Sequence, residues 1–287
     1  MSASEDDEMD DSSAPLIEHL AELRTRLIRS VLAFVVAMVL CFVVAEPILK
    51  FLLLPIEDTM RRLGNPNPVM QYTAPQEYFF TLIRVSVVAA LIVSFPVIGH
   101  QLWRFVAPGL YRKEKAAFLP FLLASPLLFL LGAAFAHFVV VPLAMQFFLG
   151  FADAASILAA LVQDPAAGIP EEGIDIVFQG KVNESLDITL KMIVAFGLCF
   201  QLPVLLTLMG QAGLVSADGL GGVRKYAIVG ILVVAALVTP PDVLTQLLLF
   251  TVVYGLYEIS ILLVRMVERR RDARLRAEGL LDEDGTA

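Results

Sequence analysis

Six apolar runs, separated by short clusters of charge and proline, set the rhythm of this chain. They cover residues 27–45, 78–99, 116–141, 190–209, 226–238 and 243–264. About 20 apolar residues, rising about 1.5 Å each, carry a helix across a ~30 Å hydrocarbon core. The pattern predicts an all-α membrane protein with six transmembrane helices. The third run is bounded by Pro142, and the fourth holds Gln201 and Pro203 at its middle. The fifth reaches only about 20 Å as a helix. It is either a re-entrant segment or a short span paired with 243–264 through a turn at Pro240 and Pro241. The charges favour the pairing. Arg224 and Lys225 precede the short run, and Arg265, Arg269, Arg270, Arg271, Arg274 and Arg276 follow the last one. An even number of crossings returns both groups to one side.

Loop cations set the orientation, because Lys and Arg concentrate on the cytoplasmic side. One side collects Arg24, Arg26 and Arg29, then Arg104, Arg112, Lys113 and Lys115, then the two groups just named. The other collects only Lys50, Arg61, Arg62 and Lys181. Both termini are therefore expected in the cytoplasm. On the far side, 55–76 reads as a stiff loop, with Gly64, Asn65, Pro66, Asn67, Pro68 and Pro75. The longer segment 143–189 holds a helical stretch at 154–162, a breaker-rich stretch at 164–173 and a helix start near 183–187. The two halves of the chain show no repeat, which weakens an inverted-repeat transporter reading.

Composition agrees: 58% of residues are hydrophobic and 17% charged, against roughly 25% charged in a soluble domain. The net charge of −8 comes largely from the two ends. Glu5, Asp6, Asp7, Glu8, Asp10 and Asp11 crowd one, and Asp282, Glu283 and Asp284 the other. The expected division is an acidic disordered tail over 1–15, a membrane domain over 16–265 and a charged tail over 266–287. No secretory signal peptide is expected, and the first run should remain as an anchor. Cys41 and Cys199 lie in apolar runs without ligand-spaced partners and read as packing residues. No phosphate-binding loop, metal-ligand cluster or nucleophile motif is evident, so neither an enzyme nor a cofactor is expected, and nucleic acid is not an expected partner.

The candidate chemistry lies at membrane edges and inside spans. The segment 19–27 places Leu20, Leu23 and Leu27 on one helical stripe, with Glu22 and Arg26 four apart on another. Glu22 either pairs with Arg26 or receives a partner's guanidinium. The segment 103–115 has Trp103 and Tyr111 suited to the headgroup level. Glu114 stands there as a lone acid among Arg112, Lys113 and Lys115, in a salt bridge or as a second acceptor. Gln201 and Gln246 are intramembrane polar groups, which mark either helix contacts or function.

Taken together, these segments resemble the TatC family of twin-arginine protein export. The matching blocks are 19–27; Ala107-Pro108-Gly109-Leu110-Tyr111 with Glu114 behind it; Gly132-Ala133-Ala134-Phe135 through Pro142; 196–203; and Arg224-Lys225-Tyr226 through Thr239-Pro240-Pro241-Asp242. They follow family order from about residue 15 to 265. The resemblance implies six helices in a curved, glove-like bundle with cytoplasmic termini, in the bacterial inner membrane. It implies a receptor for signal peptides bearing an Arg-Arg pair. That receptor forms a multimeric complex with the single-span partners TatB and TatA, and the proton-motive force drives export of folded cargo. By position, Glu22 and Glu114 match the acids that receive the arginines, and Arg24 matches a basic neighbour. Pro55, Phe105, Pro108 and Asp242 match other positions typical of the family. Two departures stand out: Gln201 where the family often has Glu, and His137 where it often has Tyr.

Paired carboxylates at a membrane edge suit this role, since each takes a guanidinium in a bidentate pair that Lys cannot form. The surrounding cations would repel non-specific basic sequences. The short fifth run and Gln201 together predict a thin, polar place in the bilayer. The alternative is a small secondary transporter, which would need paired broken helices at mid-membrane.

Overall fold

The structure is a computed structural model and describes residues 3–62, 65–106, 115–162, 180–239 and 242–277. It is an all-α membrane protein. Helix α1 (Ala3–Val43) leads into α2 (Ala45–Arg62), α3 (Pro75–Val106) and α4 (Lys115–Phe135). A π-turn (Ala136–Val140) joins α4 to α5 (Val141–Val162). Then come α6 (Val182–Cys199), α7 (Leu202–Gln211), α8 (Ala217–Gly222), α9 (Arg224–Val238) and α10 (Val243–Ala277). Among the described residues, five segments are long and apolar enough to cross a membrane: Leu20–Val43, Pro75–Leu102, Leu123–Phe151, Val182–Gln211 and Val243–Ala273. Large apolar side chains along them stay exposed, including Leu32, Leu40, Leu123, Leu127, Leu198 and Leu262. A continuous apolar belt of this kind is covered by lipid.

Three local expectations need correction. Residues 55–62 are helical, not loop, and Pro55 lies buried inside α2. Ala45, Leu49, Leu52, Ile56, Thr59 and Met60 recur at three- and four-residue steps and are buried together, so tertiary burial of that face outweighs the proline penalty. Pro142 does not end the third span. The Val141 amide donates to the Ala136 carbonyl in the π-turn, which restarts the ladder so that Pro142 falls in the first turn of α5, where a missing N–H is tolerated. The fourth run is two helices, broken at Phe200 and Gln201 just before Pro203.

The centre is held by close backbone approach. A Cβ on Gly132 of α4 would lie 2.5 Å from the Phe196 carbonyl oxygen of α6, and one on Gly197 would lie 2.8 Å from the Phe129 ring. Phe129 stacks on Phe95 of α3 with centroids 3.9 Å apart. Small residues at such contacts matter in lipid, where helices gain little from apolar burial and associate through packing. Two short strands, β1 (Met70–Gln71) and β2 (Gly180–Lys181), pair in parallel, with Met70 opposite Gly180. They bring the starts of α3 and α6 together at one end of the bundle.

Candidate functional site

Glu22 sits on α1, and its Oε1 accepts from the Arg26 Nε at 3.0 Å and from a second Arg26 nitrogen. The Arg26 side chain is only 13% exposed, against 35% for Glu22, so the carboxylate is the more accessible partner. The i, i+4 pair expected from spacing is formed. Arg24 is exposed on the same helix.

Helix α1 runs antiparallel to α3. Phe42 meets Phe79 with centroids 6.4 Å apart, and Ala37 and Cys41 pack with Ala90. Continued along both helices, this register sets Glu22 level with the last turns of α3, where Arg104 and the half-buried Phe105 lie. Pro108 and Glu114 fall outside the described residues. Glu22, Arg24 and Phe105 thus share one end of the bundle.

That end also holds the start of α9. Arg224 donates from Nε to Glu258 Oε1 at 2.7 Å and from a terminal nitrogen to Oε2 at 2.9 Å. The Tyr254 hydroxyl donates to the same carboxylate at 3.0 Å. The Tyr257 hydroxyl donates to the Leu220 carbonyl at 2.8 Å, and the Ala217 amide donates to Glu268 at 3.0 Å. These bonds fasten α8 and α9 to α10, as a hairpin of the last two helices requires.

The other candidates lie elsewhere. Asp242 is 5% exposed and caps α10. Its carboxylate accepts from the Thr245 amide at 2.6 Å and from the Thr245 hydroxyl. It lies at the opposite end, since the neighbouring Thr239 lines a small cavity with Ile188 near the start of α6. Gln246 is half-buried one turn further along α10.

Gln201 is bound across helices. Its Oε1 accepts from the Ser125 hydroxyl at 2.7 Å, and its Nε2 donates to the Ser125 carbonyl at 2.8 Å. That is the helix-contact role left open by the sequence, with a partner sequence reasoning missed. His137 is buried in the π-turn and stacks on Phe51 of α2 at 4.6 Å. Neither of its ring nitrogens has a hydrogen-bond partner among the described residues.

The family model described as Sec-independent protein translocase protein (TatC) matches residues 18–251. The chain belongs to the TatC family. A TatC protein of Magnetococcus marinus is 42% identical over 268 residues, covering 93% of this chain and 90% of that one. A TatC protein of Aquifex aeolicus is 38% identical, covering 90% and 97%. A crystal structure of the twin arginine translocase receptor TatC matches with a TM-score of 0.70 at 37% identity, over 87% of this chain and 99% of that one. A second, in the detergent DDM, gives 0.69 at 38% identity. As a TatC-family member this chain is a multi-pass membrane protein and a component of Sec-independent protein translocation. It is a transport protein.

Proposed function

We propose that this chain is the signal-peptide receptor of a twin-arginine translocase in the bacterial inner membrane, with both termini cytoplasmic. The observation that carries the reading is the accessible Glu22 carboxylate at the cation-rich end of a TatC-family bundle. Glu22 and Glu114 receive the Arg-Arg pair of the peptide, and Arg24 borders the site. A carboxylate has about four acceptor positions, and Arg26 engages one of the two Glu22 oxygens. Arg26 then orients the acceptor ahead of binding. The segment 16–265 is the working membrane domain, with α9 as a sixth, short span. TatB-like and TatA-like single-span proteins complete a multimeric complex, and the proton-motive force drives export of folded cargo.

The test is affinity for a signal peptide with Arg-Arg against an otherwise identical Lys-Lys version. Wild type should prefer Arg-Arg. Glu22→Gln and Glu114→Gln should each weaken binding by roughly 1–3 kcal/mol, the scale of a charged hydrogen bond. Unchanged affinity in both variants refutes the site.

A further inference from the structure

At the end of the bundle where α3 and α6 begin lies a cavity of about 410 Å³, within the size range of small-ligand sites. We propose that it seats the headgroup of a phospholipid that carries a primary ammonium, phosphatidylethanolamine in chemical class, in the leaflet opposite the chain termini.

The β1–β2 pairing builds the cavity by setting two helix starts side by side. Two cations, Arg84 and Lys181, and two carboxylates, Glu77 and Glu184, line it. Arg84 stands within the apolar stretch of α3, about 13 Å along the helix from Pro75. Its Nη1 donates to the Asn183 side-chain oxygen at 2.8 Å. An amide oxygen orients the guanidinium but does not neutralise it. A guanidinium has five N–H donors in a planar fork, so Arg84 can still take a phosphate bidentately.

The acids differ. Glu77 is anchored through Oε2, which accepts from the Thr73 and Ala74 amides at 2.7 and 3.3 Å and from the Thr73 hydroxyl at 3.1 Å. Glu184 is 73% exposed and lies 3.4 Å from Lys181. That is longer than the ~2.7–2.9 Å of a charge-assisted bond. A zwitterion fits this loose pair: phosphate to Arg84 and Lys181, ammonium to Glu184. The wall supplies the rest. Phe80 is 53% exposed and lines the cavity with Ile83, on the face where acyl chains would descend. A polar cleft with an apolar, lipid-facing wall suits an amphiphile better than a soluble anion.

The experiment is native mass spectrometry of the full chain released from nanodiscs of equal phosphatidylethanolamine, phosphatidylglycerol and phosphatidylcholine. Wild type should retain the ethanolamine lipid about tenfold over the others, as one charged hydrogen bond implies. Arg84→Gln should lose retention of all three. Glu184→Gln, at an exposed position that leaves folding intact, should keep phosphatidylglycerol and lose the preference for ethanolamine. Equal retention of the three lipids by wild type overturns the proposal, as does a preference that survives both substitutions. Displacement of the lipid by millimolar free phosphoethanolamine would reassign the cavity to a soluble phosphate ester and also overturn it. The readout needs no signal peptide, so it stands or falls apart from the receptor reading.

Discussion

The link between Gln201 and Ser125 permits a quantitative test of what a polar residue does at the middle of this membrane domain. Gln201→Leu removes both bonds, the 2.7 Å one from the Ser125 hydroxyl and the 2.8 Å one to the Ser125 carbonyl. Ser125→Ala removes only the first, because the second uses backbone. Interhelical hydrogen bonds in membranes average about 0.6 kcal/mol, with a maximum near 1.7. Gln201→Leu should therefore cost about 1–2 kcal/mol, and Ser125→Ala about 0.5–1. The double-mutant cycle should give a coupling near 0.6 kcal/mol, the value of the one shared bond. The assay is unfolding by SDS in mixed micelles, followed by circular dichroism. Signal-peptide affinity measured on the same variants should be unchanged, since the pair lies away from Glu22. A coupling of zero would mean that the bond is not formed in the membrane. Lost peptide binding without lost stability would show that Gln201 serves the ligand directly.

Two further outcomes follow from packing and capping. Gly132→Ala forces a Cβ against the Phe196 backbone, which no side-chain rotation relieves, and should cost about 1–3 kcal/mol in the same unfolding assay. Gly150→Ala, with nothing within 4 Å of the added carbon, should be neutral or slightly stabilising through helix propensity. Asp242→Ala should lower stability by about 1–2 kcal/mol through loss of the α10 cap, whereas Asp242→Asn, which keeps an acceptor oxygen, should lose less. Thermal midpoints in detergent distinguish the pair.

The membrane class was legible because lipid demands long apolar helices, and the runs at 27–45 and 243–264 have no other reading. The α2 helix was not legible. Glu46, Lys50, Glu57 and Asp58 keep its apolar stripe from looking like a span, and Pro55 reads as a loop residue until its buried face is seen. The three- and four-residue steps from Ala45 to Met60 were the available signal. Pro142 misled for a related reason: a proline ends a helix only if the backbone cannot reset, and a π-turn resets it. At the site, the Glu22–Arg26 pair followed from i, i+4 spacing. The partner of Gln201 did not, because Ser125 is 76 residues away on another helix. Phe105 and Glu22 come to one level only through the antiparallel register of α1 and α3, which no local pattern encodes.

Burial then ranks the spans by how much of each the rest of the chain covers. In an 18-residue apolar stretch of each span, half of the residues are buried for Val182–Gln211 and 44% for Leu123–Phe151, against 11% for Leu20–Val43. The first two meet through glycine and through the Ser125–Gln201 bonds, and their backbones have no room to slide. The α1 helix packs chiefly on α3, through Ala37, Cys41 and Ala90 with Phe34 and Met38 beside them. Since lipid tails are as apolar as those side chains, separating α1 from α3 forfeits packing but little hydrophobic energy. The element that carries Glu22 and Arg24 is thus the least buried of the five long spans, and it rests on α3 rather than on the α4–α6 centre.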